Sequence, residues 1–302
     1  METMTLVSRT CPICGCDQGS RPFAIANIQL DGLDQFAFAS RKLPEYMHWR
    51  LMECRRCDLL YADPAPDPEE LAGLYREAGF DSRPEARRAS RTYSRFLPRI
   101  MFSLPDRDGA VDIGTGDGSF LRELLAAGFN NVTGIEPSIA PIEAAERRIR
   151  PLIRHDIFRA DSFAPESLSL ITCFQTIEHL SDPLSFCQAA RRALKPGGAL
   201  FLIGHNRRAL SAKVLGRKSP IFDIEHLQLF SPVSIHHLLE KAGFSRVEVM
   251  TVFNRYPLQY WARLFPFPAG SKQRILKILQ SIPTGRWVIP VPAGNLAAIA
   301  YT

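Results

Sequence analysis

Paired cysteines and acid-flanked histidines are the residues here whose types and spacing do chemistry most directly. Cys11-Pro12-Ile13-Cys14 and Cys54-Arg55-Arg56-Cys57 are two C-x-x-C knuckles. Each knuckle lets two thiolates from one turn share a metal, and two such turns complete a tetrahedral four-sulfur zinc site. A site closed by four protein ligands is structural. In a segment with so little core, metal binding supplies folding free energy on the order of 10 kcal/mol. Cys16, two residues past Cys14, is the spare thiol. His179 follows Glu178, His226 follows Glu225, and His205 ends the apolar run Ala199 to Ile203. Histidine titrates near neutral pH, so each of the three is placed to serve as a general base.

A second constellation is Val111-Asp112-Ile113-Gly114-Thr115-Gly116-Asp117-Gly118. A short apolar strand breaks into three glycines at alternate positions, then resumes as a helical run from Phe120 to Ala127. Glycine is required where the backbone takes positive φ or lets a ligand approach without a Cβ in the way. Between a strand and a helix, such a loop makes a nucleotide-cradling turn at the carboxyl end of a sheet strand. The spacing is G-x-G-x-G, distinct from the dinucleotide fingerprint, and glycine-rich turns also serve as plain connections. What lies downstream decides between them. Asn131 to Glu136 reads as a second strand ending in a carboxylate, about twenty residues past the loop. A βαβ unit places there an acid that accepts both hydroxyl hydrogen bonds of a ribose.

The elements that must position these groups alternate. Strands are expected at 109–113, 131–136, Ile153 to Asp156, 168–175, 199–203, Arg246 to Val252 and Gly294 to Tyr301, with helices at 120–127, 140–148 and 233–242. Alternation of this kind implies a parallel sheet with helices on both faces. Pro196-Gly197-Gly198 is expected to close a helix before the 199–203 strand. Upstream, Asp63 to Pro68 is a proline-rich connector. Glu69 to Tyr75 and Glu85 to Leu104 then read as helices that cover the site.

The order of the motifs adds a family. The glycine loop, Glu136, the strand Leu168–Gln175 running into Thr176-Ile177-Glu178-His179-Leu180-Ser181-Asp182-Pro183, and the Pro-Gly-Gly strand stand in sequence. Over residues 85 to 302 this order resembles the class I S-adenosylmethionine-dependent methyltransferases. Within that class it is similar to the small-molecule group with E-H-L-x-D-P and, later, E-H-L-x-x-F-S-P, here Glu225 to Pro232. The resemblance implies an α/β chain with a Rossmann-like, doubly wound, mostly parallel seven-stranded sheet, preceded by a small zinc ribbon. It implies S-adenosylmethionine as cofactor, held by Asp112, Gly114, Thr115, Gly116 and Gly118 at its methionine end. Glu136 and Pro137 would meet the ribose, Asp156 the adenine (Asp161 is the runner-up), and Gln175 would line the same site. His226 is the expected base, with His179 beside the methyl-transfer position. Paired knuckles precede the domain in some sugar C-methyltransferases, although Asp58 stands where the ribbon pattern usually has glycine. Ser169 replaces the usual aspartate of its strand. Relatives that hold a divalent ion carry E-x-x-E-H; Gln175 replaces the first glutamate, which weakens such a site.

Composition bounds the rest. At 302 residues and 46% hydrophobic, the chain suffices for one large domain and a small one. The expected division is 1–62 zinc ribbon, 63–104 connector and covering helices, and 105–302 methyltransferase domain with an insertion at 255–293. No run of eighteen apolar residues marks a membrane span, and Met1 to Thr10 lacks a signal-peptide pattern. The expected compartment is therefore cytoplasmic, with the seven cysteines as thiols and metal ligands. Net charge is +6, with arginines clustered at 83, 87, 88, 91, 95 and 99 and at 147, 148, 150 and 154, which read first as solvated basic helix faces and otherwise as surfaces that draw an anionic substrate or partner. The insertion joins Tyr260-Trp261 and Phe265 to a basic helix at 272–280, suited to a pocket wall, a membrane surface, a partner or its own sheet. The expected acceptor is a small metabolite or sugar-type molecule, methylated at oxygen or carbon. The rival readings are an RNA or tRNA methyltransferase and a cofactor-binding module without transfer.

Overall fold

The computed structural model describes residues 4–16, 18–29, 37–38, 45–80, 83–265 and 267–302. Residues 23–38, whose composition is strand-like as a zinc ribbon requires, lie partly outside the described residues. The chain begins with β1 (Leu6–Val7), β2 (Ser20–Ala24), β3 (Leu51–Cys54), β4 (Leu60–Ala62) and β5 (Ala65–Pro66). Helices α1 (Pro68–Glu77), α2 (Arg83–Tyr93) and α3 (Leu97–Met101) follow, and Pro98 sits in the first turn of α3, where its missing N–H costs nothing. The alternating body is β6 (Asp108–Ile113), α4 (Ser119–Ala126), β7 (Asn130–Glu136), α5 (Ile139–Ala144), β8 (Ile153–His155), β9 (Leu168–Phe174), α6 (Pro183–Ala193), β10 (Leu194–His205) and α7 (Leu210–Leu215). The chain closes with β11 (Gln228–Leu229), α8 (Pro232–Lys241), β12 (Arg246–Pro257), α9 (Leu258–Leu264), α10 (Ala269–Ser281) and β13 (Val288–Tyr301).

Seven strands build the central sheet in the order β12-β13-β10-β9-β6-β7-β8. Strands β10, β9, β6, β7 and β8 run parallel, and β13 lies antiparallel between β12 and β10. Every residue of β9 is buried, as a strand covered on both faces requires. Successive residues feed opposite cores: Val111, Ile171, Leu200 and Leu202 point to one, Ala110, Leu170, Phe201 and Ile203 to the other. Among the described residues no helix is long and apolar enough to cross a membrane.

Four local expectations change. Pro196-Gly197-Gly198 is no turn: it is an irregular start of β10, where the register shifts between Leu194 and Ala199 and Gly197 takes φ +77°. Helix α5 stops at Ala144 because Ala145 is extended, and Glu146 leaves the helix to pair with Arg87 and Arg122 at 3.0 and 3.3 Å. The pairing β12–β13 persists to Pro257↔Val288, so the helical excursion spans 258–287, less than the 255–293 expected. Several clustered arginines are tied down locally: Arg99 pairs with Glu248 at 2.8 Å and Arg154 lies over the Phe163 ring. Ser169 stands at the amino end of β9, far from the ligand edge. Its hydroxyl bonds Asp106 and, at 2.8 Å, the Asp108 carbonyl, which explains why an aspartate is dispensable there.

The first sixty-two residues share both a sheet and a core with the rest. β11 pairs with β4, completing a four-stranded sheet β11-β4-β3-β2. Cys11, Ile13, Cys54, Cys57 and Leu59 belong to the same core as Phe230, Ile235 and Leu238. Asp58 adopts φ +61°, a conformation that Asp tolerates better than most residues, which accounts for its place in the glycine position. Its carbonyl accepts from Arg207 Nη1 at 3.2 Å, and its carboxylate is gripped by Arg208.

Candidate active site

A cavity of about 1080 Å³ opens at the carboxyl ends of β6, β7, β9 and β10, the edge where open α/β sheets bind ligands. One end is the glycine loop. Gly114 takes φ +69°, and a Cβ there would lie 2.3 Å from Thr176 Oγ1. Gly118, also at φ +69°, would place a Cβ 2.4 Å from Ile149 Cγ2. Only Gly116 has nothing within 4 Å of where a Cβ would stand, so its backbone is the open face of the loop. Gly114, Thr115, Gly116, Asp117 and Ser119 line the cavity. Gly118 does not; it packs the loop onto Ile149 and Ile153. Gly118→Ala is expected to destabilise by about 2 kcal/mol, combining left-handed strain with overpacking. A drop of several degrees in Tm by calorimetry checks this.

Asp112 is buried below the loop, and both of its oxygens are engaged. Oδ1 accepts from Thr172 Oγ1 at 2.6 Å and Oδ2 from Thr115 Oγ1 at 2.8 Å. It thereby clamps the loop to β9 while facing the cavity. Glu136 is buried at the end of β7 and accepts from the backbone N–H of Gly116 at 2.8 Å and of Ser138 at 3.0 Å. Burial, the largest influence, pushes its carboxyl up to about 7; the two N–H bonds pull the other way. Pro137 lines the wall beside it, and Asp156 stands exposed at the rim. Asp156 is lowered mainly by its hydrogen bond from Arg159, 2.7 Å away. Gln175, just after β9, takes φ +52°, an uncommon backbone for a residue with a side chain. Its buried Nε2 has no hydrogen-bond partner among the described residues.

The other end gathers the three histidines. His226 Nδ1 lies 2.9 Å from the Ile221 carbonyl. A carbonyl only accepts, so Nδ1 carries the proton and the neutral ring keeps its lone pair on Nε2. His179 Nδ1 lies 2.8 Å from the Tyr75 hydroxyl, which reaches over from α1. The His226 ring stands edge-on to both others, with centroids 5.2 Å from His179 and 4.8 Å from His205. Beneath them Glu178 is fully buried. His205 N donates to Oε1 at 3.2 Å, Oε2 has no partner among the described residues, and burial raises the carboxyl to about 7. A Cβ on Gly204 would come within 2.9 Å of Oε2, so that glycine makes room for the acid. One ligand atom each from Glu178, His179 and His226 lies within 4.8 Å of the others.

The third wall is aromatic and apolar: Tyr256, Tyr260, Trp261 and Phe265 from the β12–α9 segment, and Leu210 and Val214 from α7. A pocket wall was one of the uses expected for Tyr260-Trp261 and Phe265, whereas Tyr75 and Glu178 were not among the expected site residues. Tyr75 is 104 positions from His179, and no local pattern marks it. Glu178 did stand in the E-H pair, and it is the acid rather than the imidazole that is fully buried.

The four knuckle cysteines converge elsewhere, one Sγ each within 4.8 Å. Cys11 and Cys57 are 3.4 Å apart, Cys14 and Cys54 3.5 Å. The edge of a zinc–thiolate tetrahedron is about 3.8 Å, so the quartet fits that ion with little adjustment.

A family described as a methyltransferase domain matches residues 85–249, more than half of the chain. The chain is 35% identical over 118 residues to a ubiquinone biosynthesis O-methyltransferase of Histophilus somni, covering 35% of this chain and 49% of that one. A Pseudomonas aeruginosa protein of the same name is 35% identical over 116 residues, again covering 35% and 49%. The chain thus spans about half the length of these curated relatives. A solved methyltransferase from Archaeoglobus fulgidus aligns with a TM-score of 0.47 at 17% identity, covering 71% of this chain and 94% of that one.

Proposed function

We propose that this chain, which belongs to the family of methyltransferase domains, transfers a methyl group from S-adenosylmethionine to a small acceptor, with a hydroxyl oxygen as the favoured atom. The observation that carries the reading is a single cavity running from the glycine loop and Glu136 to the histidine cluster and the aromatic wall. The residues suit that cofactor: Gly116 offers bare backbone, Glu136 a carboxylate for the ribose, and the orphaned Gln175 amide a donor. Bound cofactor supplies a methyl group already activated on a sulfonium sulfur. What remains for the protein is alignment and proton management. His226 Nε2 is placed to take the proton that the acceptor hydroxyl would lose as the methyl left sulfur for oxygen. The Ile221 carbonyl fixes that ring, while the Tyr75–His179 contact holds the neighbouring imidazole against it. The apolar wall supports an acceptor with an aromatic or aliphatic body. The relatives named for ubiquinone biosynthesis point the same way.

A second reading is favoured by the Glu178, His179 and His226 trio. These donors would hold a divalent cation, which would polarise the acceptor hydroxyl as a Lewis acid. One set of measurements tests both readings. Titration calorimetry with S-adenosylhomocysteine is expected to give micromolar affinity, and absence of binding to folded protein overturns the methyltransferase reading. His226→Asn should bind the cofactor product normally and lose about 10²- to 10³-fold in kcat with the acceptor. Full activity of the zinc-loaded protein without added Mn²⁺ or Mg²⁺ supports the metal-free base; activity that requires either ion supports the trio as ligands.

A further inference from the structure

We infer that the mouth of the cavity is a docking surface for an anionic lipid bilayer, an inference independent of which atom is methylated. The first observation is charge. Residues 249–302 contain six basic residues and no acidic one, and 209–222 contain three more with no acid. Lys213 lies in α7 and Arg217 and Lys218 just after it; Arg255 lies in β12, and Lys272, Arg274, Lys277 and Arg286 belong to the β12–β13 excursion. Among the described residues none of these eight forms an ion pair, whereas Arg263 is neutralised by Glu85 at 3.0 Å.

The second observation is the apolar surface between those charges. Leu210 and Val214 are 75% and 74% exposed, and Phe265, Ile278, Trp287 and Val288 are also exposed. Scattered exposed apolar residues are ordinary. Here Leu210, Val214 and Phe265 line the same cavity, α10 with Ile278 packs on α9 of the cavity wall, and the Trp287 carbonyl accepts from Leu258 N at 3.0 Å. Exposed apolar groups interleaved with lysine and arginine are the composition of an interfacial element, whose apolar side enters the acyl boundary while the cations meet lipid phosphates. A second copy of the chain would set cations against cations. A nucleic acid would engage the charges and leave six apolar side chains without a role. On a bilayer, the cavity mouth opens onto acyl chains, so an acceptor with an apolar body enters without crossing water.

Flotation of the intact, zinc-loaded protein is the test, with vesicles of phosphatidylcholine alone and of phosphatidylcholine mixed with phosphatidylglycerol. Binding is expected only to the mixed vesicles and should weaken with salt. The triple variant Lys272→Gln/Arg274→Gln/Lys277→Gln should lower vesicle affinity by at least about ten-fold with its melting temperature unchanged. If that variant does not fold, Arg217→Gln/Lys218→Gln on the other segment gives the same readout. No binding to mixed vesicles overturns the inference. So does equal binding to both vesicle types, or salt-sensitive capture of an RNA oligonucleotide without lipid binding.

Discussion

Cys57→Ser is expected to leave little folded protein, or to lower the melting temperature by well over 10 °C. Four thiols converge within 4.8 Å, and structural zinc in small modules contributes on the order of 10 kcal/mol to folding. Here the consequence should reach beyond the knuckles. Cys11, Cys54 and Cys57 share a core with Ile113, Phe230 and Leu238, and β4 carries β11 on its edge. Arg207 and Arg208 extend the link by gripping Glu53 and Asp58 beside the second knuckle. Elemental analysis should find one zinc per chain. Calorimetry after chelation should show cooperative loss of the whole structure, not of a small separate unit. A chelated protein with an unchanged melting temperature and no bound metal would remove the zinc proposal.

The second large effect concerns Glu136. With the cofactor product absent, burial holds its carboxyl at about 7, above the ordinary range near 4.3. A ribose donates two hydroxyl hydrogens, and only the ionised group accepts both while keeping its bonds from Gly116 and Ser138. Affinity for S-adenosylhomocysteine should therefore rise with pH, by roughly ten-fold between pH 6 and pH 8. Glu136→Gln should flatten that profile and weaken binding by about ten- to a hundred-fold, since hydrogen bonds to a charged acceptor are the strong ones. The linkage to stability has the opposite sign. The folded protein holds a proton that the unfolded chain has released, so stability falls as pH rises between the unfolded value and about 7. For Glu136 alone that loss is about 3 kcal/mol, and Glu178, also raised to about 7 by burial, adds to it. Ligand should restore the Glu136 share above neutrality, so the rise in melting temperature on adding it should grow with pH. Affinity that does not change across this range would mean that Glu136 does not meet the ribose.

The sequence by itself determined the features set by neighbours a few positions apart. A glycine that must take positive φ, a strand that runs into it, and a carboxylate one βαβ unit later are constraints of local backbone geometry. They placed Gly114, Gly116 and Glu136 on the cavity and foretold the parallel sheet. The same reasoning paired the four cysteines, because two knuckles have one economical use. Where a residue's role depends on what packs against it, the pattern misled or was silent. Gly118 reads as part of the cradle, yet its missing side chain makes room for Ile149. Pro196-Gly197-Gly198 reads as a turn, yet pairing with β9 draws it into a strand. Tyr75 reaches His179 only because α1 folds over the sheet edge, and β11 meets β4 across more than 160 residues. Those contacts are chosen by packing of the whole chain, and no period in the sequence encodes which distant faces meet. The tertiary structure alone therefore decided that Glu178 is buried and that the three histidine rings stand edge to face in one cluster.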